Sequence, residues 1–97
     1  VESTEEVSMV RMFARHEVAD YDAWRTVYDE FDATRSSMGV TGHGVYRSLD
    51  DPNDVTIWHD FESADAAHAF AGSSELESAM RSAGVVTTPT IWFTTPS

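Results

Sequence analysis

Four imidazoles, His16, His43, His59 and His68, are the side chains of this sequence best suited to moving protons, because an ordinary imidazole titrates near working pH. The rest of the chemical repertoire is narrow. The absence of cysteine excludes disulfides, thiolate metal sites and thiol nucleophiles. All six basic residues are arginine, so neither Schiff-base chemistry nor a lysine phosphate anchor is open to the chain. There is no paired-carboxylate site, glycine-rich phosphate loop or nucleophile elbow. Arg47 shares strand parity with His43 and could hold the oxygen of an enolate or phenolate; a surface ion pair of little energetic value is its other reading. Each histidine taken alone also suits an edge residue bonded to backbone or water. A zinc site of three histidines is conceivable on ligand type, but no HxH or HExxH spacing stands behind it, so no metal is expected.

The elements that must position these groups follow from periodicity. Val10, Met12 and Ala14 alternate with Arg11, Phe13 and Arg15 in a segment from about Met9 to Val18, the period of two of a strand. Asp20 offers an N-cap, and Tyr21, Trp24, Tyr28, Phe31 and Met38 then recur at helical spacing over four to five turns, up to Gly39. Val40 to Leu49 reads as a second strand and Val55 to Phe61 as a third. Asp50-Asp51-Pro52-Asn53-Asp54 makes the hairpin turn between them. Ser63 caps a second helix running to about Ala71, and Leu76, Ala79, Met80 and Ala83 mark a further helical segment ended by Gly84. Val85 to Thr95 gives a fourth strand, with Pro89 near its start.

The order βαββαβ predicts a four-stranded antiparallel sheet with the helices on one face, the ferredoxin-like α+β arrangement. Val10, Met12, Ala14, Val45, Val55, Ile57, Ile91 and Phe93 should face the helices. The opposite face would carry Phe13, Tyr46, Trp58 and Trp92, an aromatic patch that a monomer seldom leaves in water. A second copy packed sheet to sheet is the expected cover, which makes the chain a homodimer. Tyr28 and Trp24 either line a ligand pocket from the first helix or simply fill the core. The hairpin register places His43 and His59 on one face as diagonal neighbours, roughly 7–8 Å apart. His68 is expected to converge on them from the second helix.

Charge and length bound the partners. With 97 residues and a formal net charge of −11, the chain has room for one core. Residues 1–8 read as a flexible acidic arm and 9–97 as a single domain. The charge argues against nucleic acid and against anionic membranes, and no apolar run approaches the length of a membrane span. A cytoplasmic location is the default expectation.

Three stretches carry a family resemblance. Val18-Ala-Asp-Tyr-Asp-Ala-Trp24, Val40-Thr-Gly-His-Gly-Val-Tyr-Arg47 and Phe61-Glu-Ser-Ala-Asp-Ala-Ala-His68 resemble the dimeric α+β barrel superfamily. Within it the last stretch, a strand end, a helix cap and a histidine on the second helix, is similar to antibiotic biosynthesis monooxygenase domains and small polyketide cyclases. The resemblance implies a pocket between sheet and helices in each subunit, a dimer on the other sheet face, and oxidation or cyclisation of phenolic polyketides without a cofactor. It extends to relatives that degrade haem. Such enzymes often use an asparagine in the pocket, whereas the one asparagine here, Asn53, falls in the hairpin turn. The expected function is therefore a cofactor-free enzyme acting on a small aromatic or polyketide-like molecule. His59 or His68 would act as base, with His43 or Arg47 holding the anionic oxygen. A non-catalytic protein binding a small ligand such as haem, and a histidine metal site, are the alternatives.

Overall fold

The computed structural model describes residues 9–97; the acidic arm expected at 1–8 lies outside them. Strand β1 (Val10–Glu17) alternates buried and less buried positions along its length, as a strand with one covered face must. It pairs antiparallel with β3 (Asp54–Phe61) on one side and with β4 (Thr90–Thr94) on the other. Strand β2 (Gly42–Arg47) closes the far edge against β3, giving the order β2-β3-β1-β4. This is the ferredoxin-like α+β fold that the sequence predicts. The turn between β2 and β3 forms by the expected Asx mechanism, with the Asp51 carboxylate accepting from the Asn53 amide at 3.0 Å. Asn53 also ties the turn to the first helix: its side-chain oxygen accepts from the Tyr21 amide, and its carbonyl accepts from Val18.

The long first helix is two helices, not one. Helix α1 (Tyr21–Glu30) starts at Asp20, whose carboxylate accepts from the Ala23 amide. It ends at Phe31, and α2 (Asp32–Ser37) follows at once. At the break the Tyr28 carbonyl accepts from both terminal nitrogens of the Arg35 guanidinium. The side chain there shares with the Phe31 amide, at 3.3 Å, a carbonyl at the end of α1, where helical acceptors lose their regular partners four residues on. Gly39 then takes φ +95°, the left-handed conformation that stops a helix. Helix α3 (Ala64–Ala71) is capped by Ser63, and α4 (Ser74–Ser82) by Ser73.

The fourth strand is shorter than the Val85–Thr95 span predicts. Val85 makes only an isolated bridge to Val18. The next residues bond to Glu17 through the Val86 amide and the Thr87 hydroxyl. Ladder pairing resumes at Thr90, just past Pro89, which has no N–H to donate. The second strand likewise narrows from 40–49 to Gly42–Arg47.

Two apolar clusters fill the space between sheet and helices. One joins Trp24 and Tyr28 to Val55 and Ile57; the other joins Met12 and Phe61 to Phe70 and Ala67. On the outer face Phe13 stacks on Trp92 at 5.3 Å and the Arg11 guanidinium lies 3.9 Å over Trp58. The Trp58 indole also lies across Gly44, where a Cβ would come within 2.5 Å of it. Tyr46 and Trp92 remain 64% and 41% exposed in the single chain.

Candidate functional site

The register of β2 on β3 sets His43 directly opposite His59, not diagonal to it. The two rings stack at 6.1 Å on the helix-facing side of the sheet. Tyr28 of α1 meets this pair. Its hydroxyl lies 2.5 Å from Nδ1 of His43, and its ring centroid is 6.3 Å from that of His59. Trp24, one turn earlier, stacks on Tyr28 at 5.0 Å. Both rings line a cavity of about 50 Å³ between the sheet and the helices, shared with His59 and Ile57 from β3 and with His16 from β1. Leu76, Ala79 and Met80 of α4 cover it, although α4 has no buried residue of its own.

The cation of this cavity is Arg35, which the sequence reading passed over. It is 1% exposed. Its guanidinium lies 4.0 Å over the Tyr28 ring, and the nearest carboxylate, on the exposed Asp32, is 3.9 Å away. A signal was present: Arg35 sits four residues after Phe31 and three before Met38, a charged residue on the apolar stripe of the helix. The structure also brings in His16, buried and 6.0 Å from Trp24.

Two expected site residues lie elsewhere. His68 does not converge on His43 and His59; its ring packs 4.3 Å from Phe93, on the edge strand β4, and the order β2-β3-β1-β4 puts β1 between that strand and the pair. Arg47 keeps the parity of His43 but bonds the Pro52 carbonyl and stacks 3.8 Å over Tyr21 at the hairpin end. Among the described residues no group of three or more histidine or acidic side chains is arranged to hold a metal ion. Asn53 serves the hairpin turn and its tie to α1.

Three buried polar atoms in this site have no hydrogen-bond partner among the described residues: Nδ1 of His16, Nδ1 of His59 and Nε of Arg35. All three residues line the one cavity. An unpartnered buried donor or acceptor costs about 1–3 kcal/mol, and these three are gathered around a single apolar cavity. Burial, then the positive field of Arg35 and of His43, pushes the His59 imidazole down to about 3, and burial also lowers His16.

Depressed histidines make stability fall with acid. Unfolded imidazoles take up protons below about pH 6.5, which folded His59 refuses until far lower. Stability contributed by His59 is therefore complete above pH 6.5 and is lost as pH drops toward 3. At about 1.4 kcal/mol per unit the loss amounts to a few kcal/mol. Urea midpoints measured from pH 7 to pH 4 should decline, and His59→Phe should flatten the decline. An equally steep decline in that variant would place the acid sensitivity elsewhere.

The sheet order, the helices on one face and the covered cavity define a ferredoxin-like α+β pocket protein. Its structural neighbours are antibiotic biosynthesis monooxygenase-like proteins. A protein assigned to that group from Bordetella bronchiseptica superposes with a TM-score of 0.79 at 16% identity, covering 93% of this chain and 98% of the other. SnoaB of Streptomyces nogalater, a cofactor-independent oxygenase, gives 0.76 at 15% identity over 93% and 94% of the two chains. A Caulobacter crescentus protein assigned to the same group gives 0.74 at 17% identity over 93% and 91%. At these identities the likeness is one of fold. No family model and no curated protein sequence matches the chain. No described helix is long and apolar enough to cross a membrane.

Proposed function

We propose that this chain is a small-molecule enzyme of the antibiotic biosynthesis monooxygenase and polyketide cyclase type, which acts without a cofactor on an aromatic or polyketide-like substrate. It removes a proton and holds the resulting anion. The observation that carries this reading is the convergence of three unpartnered buried polar atoms, one of them on a guanidinium, on a single apolar cavity. The ring faces of Trp24 and Tyr28 suit a flat aromatic guest. Arg35 would hold the enolate or phenolate oxygen in a dry environment, where such an interaction is strongest. His59 is kept neutral, which suits it to hydrogen-bond the substrate and makes it a poor resting place for a proton. That revises the expectation of His59 or His68 as base, and Arg35 takes the part expected of Arg47. The SnoaB fold likeness adds support.

Ligand pockets usually measure about 300–1,000 Å³, well above the present cavity, so binding requires α4 to yield. A pair of chains joined through Phe13, Tyr46, Trp58 and Trp92 belongs to the same reading, supported by the exposed aromatic area of that face. Sedimentation of the protein as a monomer at all concentrations would exclude the pairing.

The test is oxygen uptake with a dihydroxyanthrone. Loss of the ring C–H proton leaves a carbanion whose electron pair reduces dioxygen; the hydroperoxide then loses water to give the quinone. Quinone formation faster than the protein-free background is the expected result. Tight binding without acceleration would make the chain a ligand carrier instead.

A further inference from the structure

We infer that Tyr28, His43 and Asp32 form a proton shuttle through the wall of the cavity, with the Tyr28 hydroxyl as the catalytic group that meets the substrate and His43 as the store for its proton. The inference rests on the proposed reading of the cavity and names the base that this reading leaves open.

Tyr28 is the one residue of the three that lines the cavity. Its hydroxyl touches Nδ1 of His43 at 2.5 Å, and Nε2 of the same ring is 3.3 Å from Oδ1 of Asp32. The His43 side chain is 34% exposed and Asp32 65%, so the chain of bonds runs from the closed interior to the solvent. A carboxylate beside Nε2 selects the tautomer with its proton there. Nδ1 is then an acceptor and the Tyr28 hydroxyl donates to it, which leaves the oxygen lone pairs free to accept from a bound substrate.

The surroundings fix this geometry. Trp24 stacks on one side of Tyr28, and the Arg35 guanidinium lies over its ring at 4.0 Å. The charged and titratable groups facing the pair are Arg25, Asp29, Asp32 and Arg35 from α1 and α2, and His59 from β3. Of His16, His43 and His59, His43 alone has a carboxylate within ion-pair distance to steady an imidazolium, Asp32 at 3.3 Å; His59 has Arg35 and His43 working against its charge, with only the more distant Asp60 in its favour.

The proton balance closes within the site. The substrate gives a proton to the Tyr28 oxygen as the hydroxyl proton passes to Nδ1, forming a neutral tyrosine, an imidazolium beside Asp32 and a substrate anion beside Arg35. When the anion has reacted, the same two bonds return the proton to the oxyanion of the product. Tyr28 and His43 thus act as base and then as acid, and Asp32 is a positioning residue.

The experiment binds meta-nitrophenol to the intact protein about one unit below the pKa of the free phenol, where an ordinary imidazole starts neutral, in weakly buffered solution, and reads two quantities. The visible band counts phenolate, and a pH indicator counts protons released. The shuttle predicts phenolate without proton release, because His43 retains the proton. Tyr28→Phe and His43→Gln should each abolish that retention, binding the phenol either un-ionised or with one proton released per phenolate. Asp32→Asn should reduce the phenolate fraction about tenfold or more without moving the unfolding midpoint. Stoichiometric proton release by the wild type, or binding with no phenolate, overturns the shuttle and leaves the cavity reading standing. Failure of the wild type to bind any phenol overturns both.

Discussion

Arg35→Met should leave the fold as stable as the wild type, or more so, and lower turnover of an anthrone by about 10²–10³-fold. The two halves of this expectation have one cause. A guanidinium at 1% exposure has lost its hydration, a penalty of several kcal/mol for an unpaired ion. What offsets the penalty is incomplete. The Tyr28 carbonyl accepts from both terminal nitrogens, and the rings of Tyr28 and Phe31 lie 4.0 and 5.6 Å from the charge. Nε is unpartnered, and the carboxylate at 3.9 Å belongs to an exposed side chain. Methionine keeps the stem on the apolar stripe and removes the desolvated charge, a change that is often neutral or stabilising at buried ionic sites. A binding site gains from the same charge, because a substrate anion supplies the missing counter-ion. Thermal midpoints and kcat of the variant decide the matter. A midpoint lowered by about 4–8 °C for each kcal/mol lost, with kcat unchanged, would show Arg35 to be a structural tie between α1 and α2.

Phe70→Ala should cost about 3–5 kcal/mol, against a total of about 5–15 kcal/mol for a domain of this kind. Phe70 is fully buried and is the meeting point of the second cluster, with ring centroids 5.0 Å from His59, 5.4 Å from Phe61 and 6.2 Å from Phe31. These neighbours belong to β3 and to the junction of α1 and α2, so they cannot collapse together without breaking sheet register. The void would therefore persist, and the cost lies in the upper part of the range for large-to-small changes. Urea denaturation measures it directly. A loss below about 1 kcal/mol would mean that the cluster closes over the gap and that α3 is held by other contacts.

Most of the fold was legible because period and punctuation agree. Val10, Met12 and Ala14 alternate, Asp20 and Ser63 cap helices, and Gly39 and Gly84 take φ of +95° and +80°. The misread features come from contacts between residues far apart or from local competition for a backbone group. The break at Phe31 is invisible in a continuous apolar stripe, because it involves the guanidinium of a residue four positions on. The late start of β4 reflects the hold of Glu17 on Val86 and Thr87, nearly 70 residues away in sequence. The site was legible in its residue types and partly in its placement. The shared face of His43 and His59 follows from parity, whereas one step of register decides between diagonal and direct pairing. The positions of His68 and Arg47 depended on which sheet edge and which strand end they reach, and periodicity does not carry that information. Arg35 was legible as a charge in an apolar stripe, where a rule that sends charges to the surface conceals it.

Helix α4 lies over the cavity with no side chain fully buried, only Leu76, Ala79 and Met80 being half-buried, and this separates two free energies that many small proteins must share. Elements with few buried contacts open at a fraction of the cost of global unfolding. The cover can therefore lift while the clusters around Trp24 and Phe70 stay closed. On the proposed reading of the cavity, admission of a guest would be governed by the local opening of nine residues, and substitutions that firm up the sheet and α3 could accumulate without slowing the exchange of ligand.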